Sequence, residues 1–332
     1  MTLRLSILDQ TPIRKGGNAS ATLQESHELA RLADQWGYTR YWISEHHNTR
    51  TLAAAAPEVL IASLANGTQR IRFGSGGIML PNHSALKVAE NFRLLEALYP
   101  GRIDLGIGRA PGGDRATSQL LNPSNTFDPQ EYIEQIRELQ HFLADSPSPN
   151  NALGRIRAIP HISSMPPIWA LGSSGESAFV AAHFGLGLSY AQFINPHGAA
   201  AAIQAYRSRF NPSVSFPEPA TSIGVFAFTS TDSEKLNRAR ALFDYRLISF
   251  ENGKFDELVD FDDIKDHRYT AAEENRLIYH RQRYLIGTPA ELEAQFAQLT
   301  SETGTEEILI ATFAETKEDR MESYRLLGEN IL

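Results

Sequence analysis

Short apolar runs alternate with amphipathic helical patterns along almost the whole chain, and this alternation narrows the fold more than any other feature. Leu3–Leu8, Arg40–Ser44, Ile71–Ser75, Arg102–Gly106, Ile168–Leu171, Gly187–Tyr190, Ile223–Thr229 and Glu307–Ala311 read as eight strands. Strands separated by helices pair in parallel, and eight such units close into a (β/α)8 TIM barrel. With 332 residues and 42% hydrophobic content, the chain is expected to form one domain of that kind over residues 1–332.

Helices fill the gaps. Leu23, His27, Ala30, Ala33 and Trp36 trace one face of the first; Pro57 opens the second, which stops at Gly67. Leu86, Ala89, Phe92, Leu95 and Leu98 predict the buried stripe of the third. A fourth helix spans about 128–143 and is followed by a Pro-, Ser- and Asn-rich stretch from Asp145 to Asn151. The segment from about 231 to 286 is too long for one crossover and carries its own helical patterns, so it reads as an insertion before the last units. Thr288 and Glu291 then form a capping box that restarts the barrel.

The net charge of −8 has no basic block, which argues against nucleic acid or an anionic membrane as partner. No apolar run approaches the roughly 20 residues of a membrane span. The N-terminal residues lack the layout of a signal peptide, so a cytoplasmic location is the default expectation. The absence of cysteine excludes disulfides, thiolate metal sites and a cysteine nucleophile.

Chemistry concentrates where strands end. Tyr41-Trp42-Ile43-Ser44-Glu45-His46-His47 delivers a carboxylate and two imidazoles to the edge where parallel α/β proteins bind ligands. The third strand runs into Gly74-Ser75-Gly76-Gly77, which permits close backbone approach to a flat ring and equally fits a tight bulge. The fourth runs into Gly106-Ile107-Gly108-Arg109, whose arginine suits either a phosphate or a loop salt bridge. After the fifth, Gly172-Ser173-Ser174-Gly175-Glu176-Ser177 opens a helix; Ser174 and Ser177 serve a phosphate at the helix N-terminus or simply cap it. His46 and His47 do not read as a metal pair, because strand neighbours face opposite ways and no second ligand cluster appears. His83 reads as a pocket residue or a solvated loop histidine, Tyr190 and Phe193 as pocket border or core, and the acidic residues 256–263 as a solvated surface.

These segments, with Leu5-Ser6-Ile7-Leu8-Asp9-Gln10-Thr11-Pro12 and Ile286-Gly287-Thr288-Pro289-Ala290-Glu291-Leu292, resemble the bacterial luciferase-like flavin monooxygenases in order and approximate spacing over essentially the whole chain. The resemblance implies a TIM barrel that binds reduced FMN, activates O2 at the flavin and oxygenates a small organic substrate. It implies His46 as acid, base or hydrogen-bond donor near the flavin, with Glu45 and His47 orienting it or packing behind it. It also implies Ser75, Gly76 and Gly77 beneath the isoalloxazine, where the family often has a cis non-proline peptide. Gly108, Arg109, Gly172, Ser173, Ser174 and Ser177 complete the implied cofactor set, with Arg109, Ser174 and Ser177 on the phosphate. The residue before that arginine is a reactive cysteine in the light-emitting members and is Gly108 here, so bioluminescence is not implied. The family also includes deazaflavin-dependent enzymes and non-catalytic flavin binders. A homodimer is expected, and a separate NAD(P)H:FMN reductase, because no GxGxxG fingerprint follows an early strand.

Overall fold

The computed structural model describes residues 3–126, 128–145, 156–254 and 256–332. In chain order the elements are β1 (Arg4–Asp9), α1 (Ala19–Trp36), β2 (Arg40–Ile43), α2 (Pro57–Ala65), β3 (Arg72–Met79), α3 (Ala85–Leu98), β4 (Ile103–Gly108), α4 (Arg115–Leu121) and α5 (Pro129–Ala144). There follow β5 (Ile168–Gly172), α6 (Gly175–Phe184), β6 (Gly187–Ala191), α7 (Ala199–Ser208), β7 (Thr221–Thr229), α8 (Ser233–Glu251), α9 (Phe261–Ile264) and α10 (Ala271–His280). The chain ends with β8 (Tyr284–Gly287), α11 (Pro289–Thr303), β9 (Glu307–Ala311) and α12 (Lys317–Ile331). The polar stretch expected over 145–151 lies, beyond residue 145, outside the described residues.

Strands β1 to β7 and β9 pair in parallel around a closed ring, completed by the β6–β7 and β7–β9 pairings. This is the (β/α)8 barrel expected from the alternation. The short strand β8 is an addition that the sequence reading placed inside the 231–286 segment without recognising it; it pairs with Phe226–Thr229 of β7. Four residues among helical patterns are too few to show strand periodicity.

Successive strand residues face opposite sides. On the outer side Leu5, Ile7, Tyr41, Ile43, Phe73 and Leu105 join helix residues such as Leu29, Ile61 and Phe92 in the main core. Leu8, Trp42, Trp169, Phe216, Leu309 and Ala311 form a separate inner cluster. Beside it lies a buried charged layer in which Arg40 bridges Asp104 and Glu307, both at 2.7 Å, while Trp42 Nε1 donates to Asp104 at 3.1 Å.

Two helix faces differ from the periodic reading. In α1 the buried residues are Thr22, Glu25, Ser26, Leu29, Ala30, Ala33 and Asp34, so the face is rotated from the one read through Leu23, His27 and Trp36. The cause is a polar interior: Ser26 donates to Asp9 at 2.6 Å, and Arg320 of α12 pairs with Asp9 at 2.7 Å and Glu25 at 2.9 Å. In α3 the stripe runs through Ala85, Val88, Ala89, Phe92 and Leu95, and Leu98 is left exposed. The Thr288–Glu291 capping box forms as expected, with Thr288 accepting from Glu291 N and Glu291 from Thr288 N.

Candidate active site

The C-terminal ends of the strands enclose a cavity of about 1020 Å³. Its walls include Glu45, His46, Gly76, Gly77, Gly108, Arg109, Gly172, Ser173, Ser174 and Ser177, so segments far apart in sequence meet in one place. Ser75 is the exception. It is fully buried, it is not among the lining residues, and its hydroxyl donates to the Gly106 carbonyl at 2.7 Å. Strand alternation turns Gly76 inward and Ser75 outward.

The floor between β3 and β4 needs its glycines. The Gly76–Gly77 peptide is cis. A Cβ on Gly77 would lie 2.1 Å from Leu171 Cδ1 and 2.7 Å from the Gly106 oxygen, and one on Gly76 would lie 2.5 Å from Leu8 Cδ1. Backbone therefore forms the surface here, and a flat ligand can approach it closely.

The end of β2 supplies the titratable groups. Glu45, expected to orient His46 or to pack behind it, makes no hydrogen bond to it. Its Oε1 meets His47 Nε2 at 2.7 Å and His83 Nε2 at 2.8 Å, and its Oε2 accepts from Met79 N at 2.9 Å. Burial pushes this carboxyl up, but the two imidazoles and the amide outweigh it and leave the pKa lowered. Burial alone would lower His83, yet the Glu45 carboxylate prevails and raises it. His83 is thus a partner of Glu45 rather than a freely solvated loop residue. His46 contacts Ser44 Oγ through Nδ1 at 3.1 Å. Burial pushes His46 down to about 4 against the opposing pull of Glu45, so its imidazole is neutral at physiological pH.

At the other end of the cavity, α6 begins beside Arg109. Ser174 occupies the N-cap position, but its hydroxyl makes no capping bond and lies 3.5 Å from Ser177 Oγ. Gly172 is needed here, because a Cβ on it would meet Ser177 Oγ at 2.0 Å. Arg109 makes a two-pronged contact with Glu176, at 2.8 and 3.1 Å. The loop salt bridge that the sequence left open is therefore present at the cavity rim. Tyr190 is buried and donates to the Ser173 carbonyl at 3.1 Å, which fixes the β5–α6 turn. Phe193 does line the cavity, stacked on Phe226 with ring centroids 4.7 Å apart.

Several wall residues carry no motif. Ser189 of β6 and Leu309 of β9 arrive by strand register alone, and Tyr132 and Gln135 come from α5. Only the inward parity of each strand identifies the first two. Among the described residues no group of three or more His, Cys, Asp or Glu is arranged to hold a metal ion, and no helix is long and apolar enough to cross a membrane. The acidic stretch is largely exposed, as expected of a solvated surface, with Asp260 and Asp263 paired with Lys15 and Asp256 accepting from Thr49 and Arg50 N.

Comparison with known proteins agrees with this fold. A family model described as luciferase-like monooxygenase matches residues 3–307. An uncharacterised Bacillus subtilis protein, YwcH, is 42% identical over 98% of this chain and 98% of its own length. An N-acetyl-S-alkylcysteine monooxygenase from the same organism is 34% identical over 99% of this chain and 98% of its own. The crystal structure of apo-MsnO8 superposes with a TM-score of 0.88 at 35% identity, covering 99% of this chain and 98% of that one.

Proposed function

This chain belongs to the luciferase-like monooxygenase family, and from that premise we propose that it binds reduced FMN and uses it with O2 to oxygenate a small organic substrate. One observation carries the reading: a guanidinium, two serine hydroxyls and a helix N-terminus line a cavity whose floor is bare glycine backbone and whose wall holds a neutral imidazole.

The donor set fits a single phosphate. Ser174, Ser177 and the first-turn N–H groups of α6 face it with the favourable end of the helix dipole, and Arg109 offers a two-pronged contact. Gly76 and Gly77 leave room for a planar ring. When bound, reduced flavin supplies the electrons and the oxygen-activating centre, and the protein supplies position and dryness.

His46 then has a defined task. Ser44 engages Nδ1, which leaves Nε2 as the ring nitrogen available to a ligand. A neutral imidazole can hold a proton there or take one up, as proton transfer at the reacting group requires. The Glu45–His47–His83 cluster fixes the loop that presents it, since Glu45 ties β2 to Met79 of β3 and to His83. Phe193, Leu8 and Leu309 give the remaining wall an apolar character suited to an organic substrate. Reduction of the flavin falls to a separate NAD(P)H:FMN reductase, because no dinucleotide fingerprint follows an early strand.

The test is anaerobic equilibrium dialysis with reduced FMN, FAD and a deazaflavin. Tightest binding of FMN supports the reading. Equal or tighter binding of the deazaflavin would overturn the choice of cofactor.

A further inference from the structure

We propose that Glu176 is the resident counter-ion of Arg109, holding its anion-binding face until a phosphate displaces it and thereby setting how tightly the cavity takes a phosphorylated ligand. The inference rests on the phosphate site proposed above.

The geometry is that of a competitor. The two carboxylate oxygens of Glu176 accept from Nη1 and Nη2 of Arg109 at 2.8 and 3.1 Å. These are the terminal nitrogens with which a guanidinium grips two phosphate oxygens. A phosphate at the α6 N-terminus and the Glu176 carboxylate cannot share that fork. Among the described residues Glu176 is the one hydrogen-bond partner of Arg109, and it occupies the end-on fork of the guanidinium.

The pair is also built to exchange. The side chains of Arg109 and Glu176 are 48% and 58% exposed, and ion pairs so exposed contribute little. A released Glu176 returns to water at low cost. Position sharpens the effect, because Glu176 stands in the first turn of α6 immediately before Ser177. Its charge stays within a few residues of a bound phosphate even after release, and the two repel. Among the described residues Arg109 is the only Arg or Lys that lines the cavity, whereas Glu45, Asp128, Glu131, Glu134 and Glu138 line it with acidic side chains. Among the described residues no second Arg or Lys there replaces what Glu176 withholds. The exchange swaps one anion for another on Arg109 and needs no proton or electron.

Binding of FMN and of riboflavin, which lacks the phosphate, to the full-length protein tests this by flavin fluorescence in the wild type, Glu176→Gln and Arg109→Ala. The amide keeps the size of the side chain and removes its charge. Glu176→Gln should tighten FMN by about 3- to 10-fold, the scale of one exposed charge interaction plus relief of repulsion, and leave riboflavin within about 2-fold. The FMN gain should shrink as salt is raised, since both charges are screened. Unchanged or weaker FMN binding in Glu176→Gln would overturn the proposal and make Glu176 a support that positions Arg109. A separate failure is distinguishable: if the wild type binds FMN no better than riboflavin and Arg109→Ala changes neither, the phosphate site itself falls and the proposal with it.

Discussion

At residue scale, neighbours divide the work of charged and titratable groups. His46 and Glu45 are adjacent, yet one is held neutral by burial and the other is held ionised by two imidazoles and an amide. Replacing His46 by Ala should keep FMN affinity within a few-fold and lower turnover by about 10²–10⁴, the usual contribution of a positioned acid–base group. Steady-state kinetics beside flavin binding would check this, and equal product yield in the variant would remove His46 from the chemistry. Arg109→Ala should weaken FMN by about 10- to 150-fold through loss of one charge-assisted contact. The Glu45–His83 pair makes a further prediction with a definite sign. Glu45 is lowered from 4.5, so its contribution to stability is present above that pH and is lost as pH falls. His83 is raised from 6.5, so its contribution is full below 6.5 and is lost as pH rises through the folded value. The Tm difference between wild type and His83→Ala should therefore be greatest between pH 4.5 and 6.5 and should shrink above it. Tm measured across that range decides.

At the scale of elements, the eight barrel strands were legible because each is a compact apolar run between helical patterns, and the motifs at their ends were legible because glycines, serines and histidines stand out there. What escaped has a physical cause in each case. Periodicity assumes an apolar buried face, and α1 buries Glu25 and Ser26 against Asp9 and Arg320 instead. Ser75 was grouped with its glycine neighbours, although strand parity sends it to the opposite side. Two of the three partners of Glu45, Met79 and His83, come from β3 and the loop after it, and no local spacing encodes that meeting. The floor of the cavity gives this scale its prediction. Gly77→Ala places a methyl against Leu171 and the Gly106 carbonyl, and backbone cannot step aside as a side chain can. Overpacking should cost about 1–3 kcal/mol of stability and weaken flavin binding more than Arg109→Ala does. Urea unfolding and FMN titration measure the two effects. Unaltered values in both would show that β3 is free to shift.

For the molecule as a whole, buried charge helps tie the barrel together. Arg320 of α12 reaches Asp9 at the end of β1 and Glu25 of α1, while Arg40, Asp104 and Glu307 link β2, β4 and β9 beneath the cavity. Removing one partner leaves an uncompensated buried charge, so Arg320→Met should destabilise by about 3–5 kcal/mol, read from urea unfolding. Burial pushes Asp9 and Asp104 up, but their arginines outweigh it and leave both carboxyls lowered. Their contribution is therefore present above the ordinary Asp value of 3.8 and is lost as pH falls below it. On this scaffold we propose a cavity that directs oxygen from O2 into an organic molecule with His46 at the reacting site. Isotope-labelled O2 tests it most directly, supplied with reduced FMN and a panel of thioethers, aldehydes, amines and sulfonates to wild type and His46→Ala. The account predicts one labelled oxygen atom in a product of the wild type and loss of that label in His46→Ala, with FMN still bound. Label absent from every wild-type product, or incorporated equally by both proteins, would contradict it.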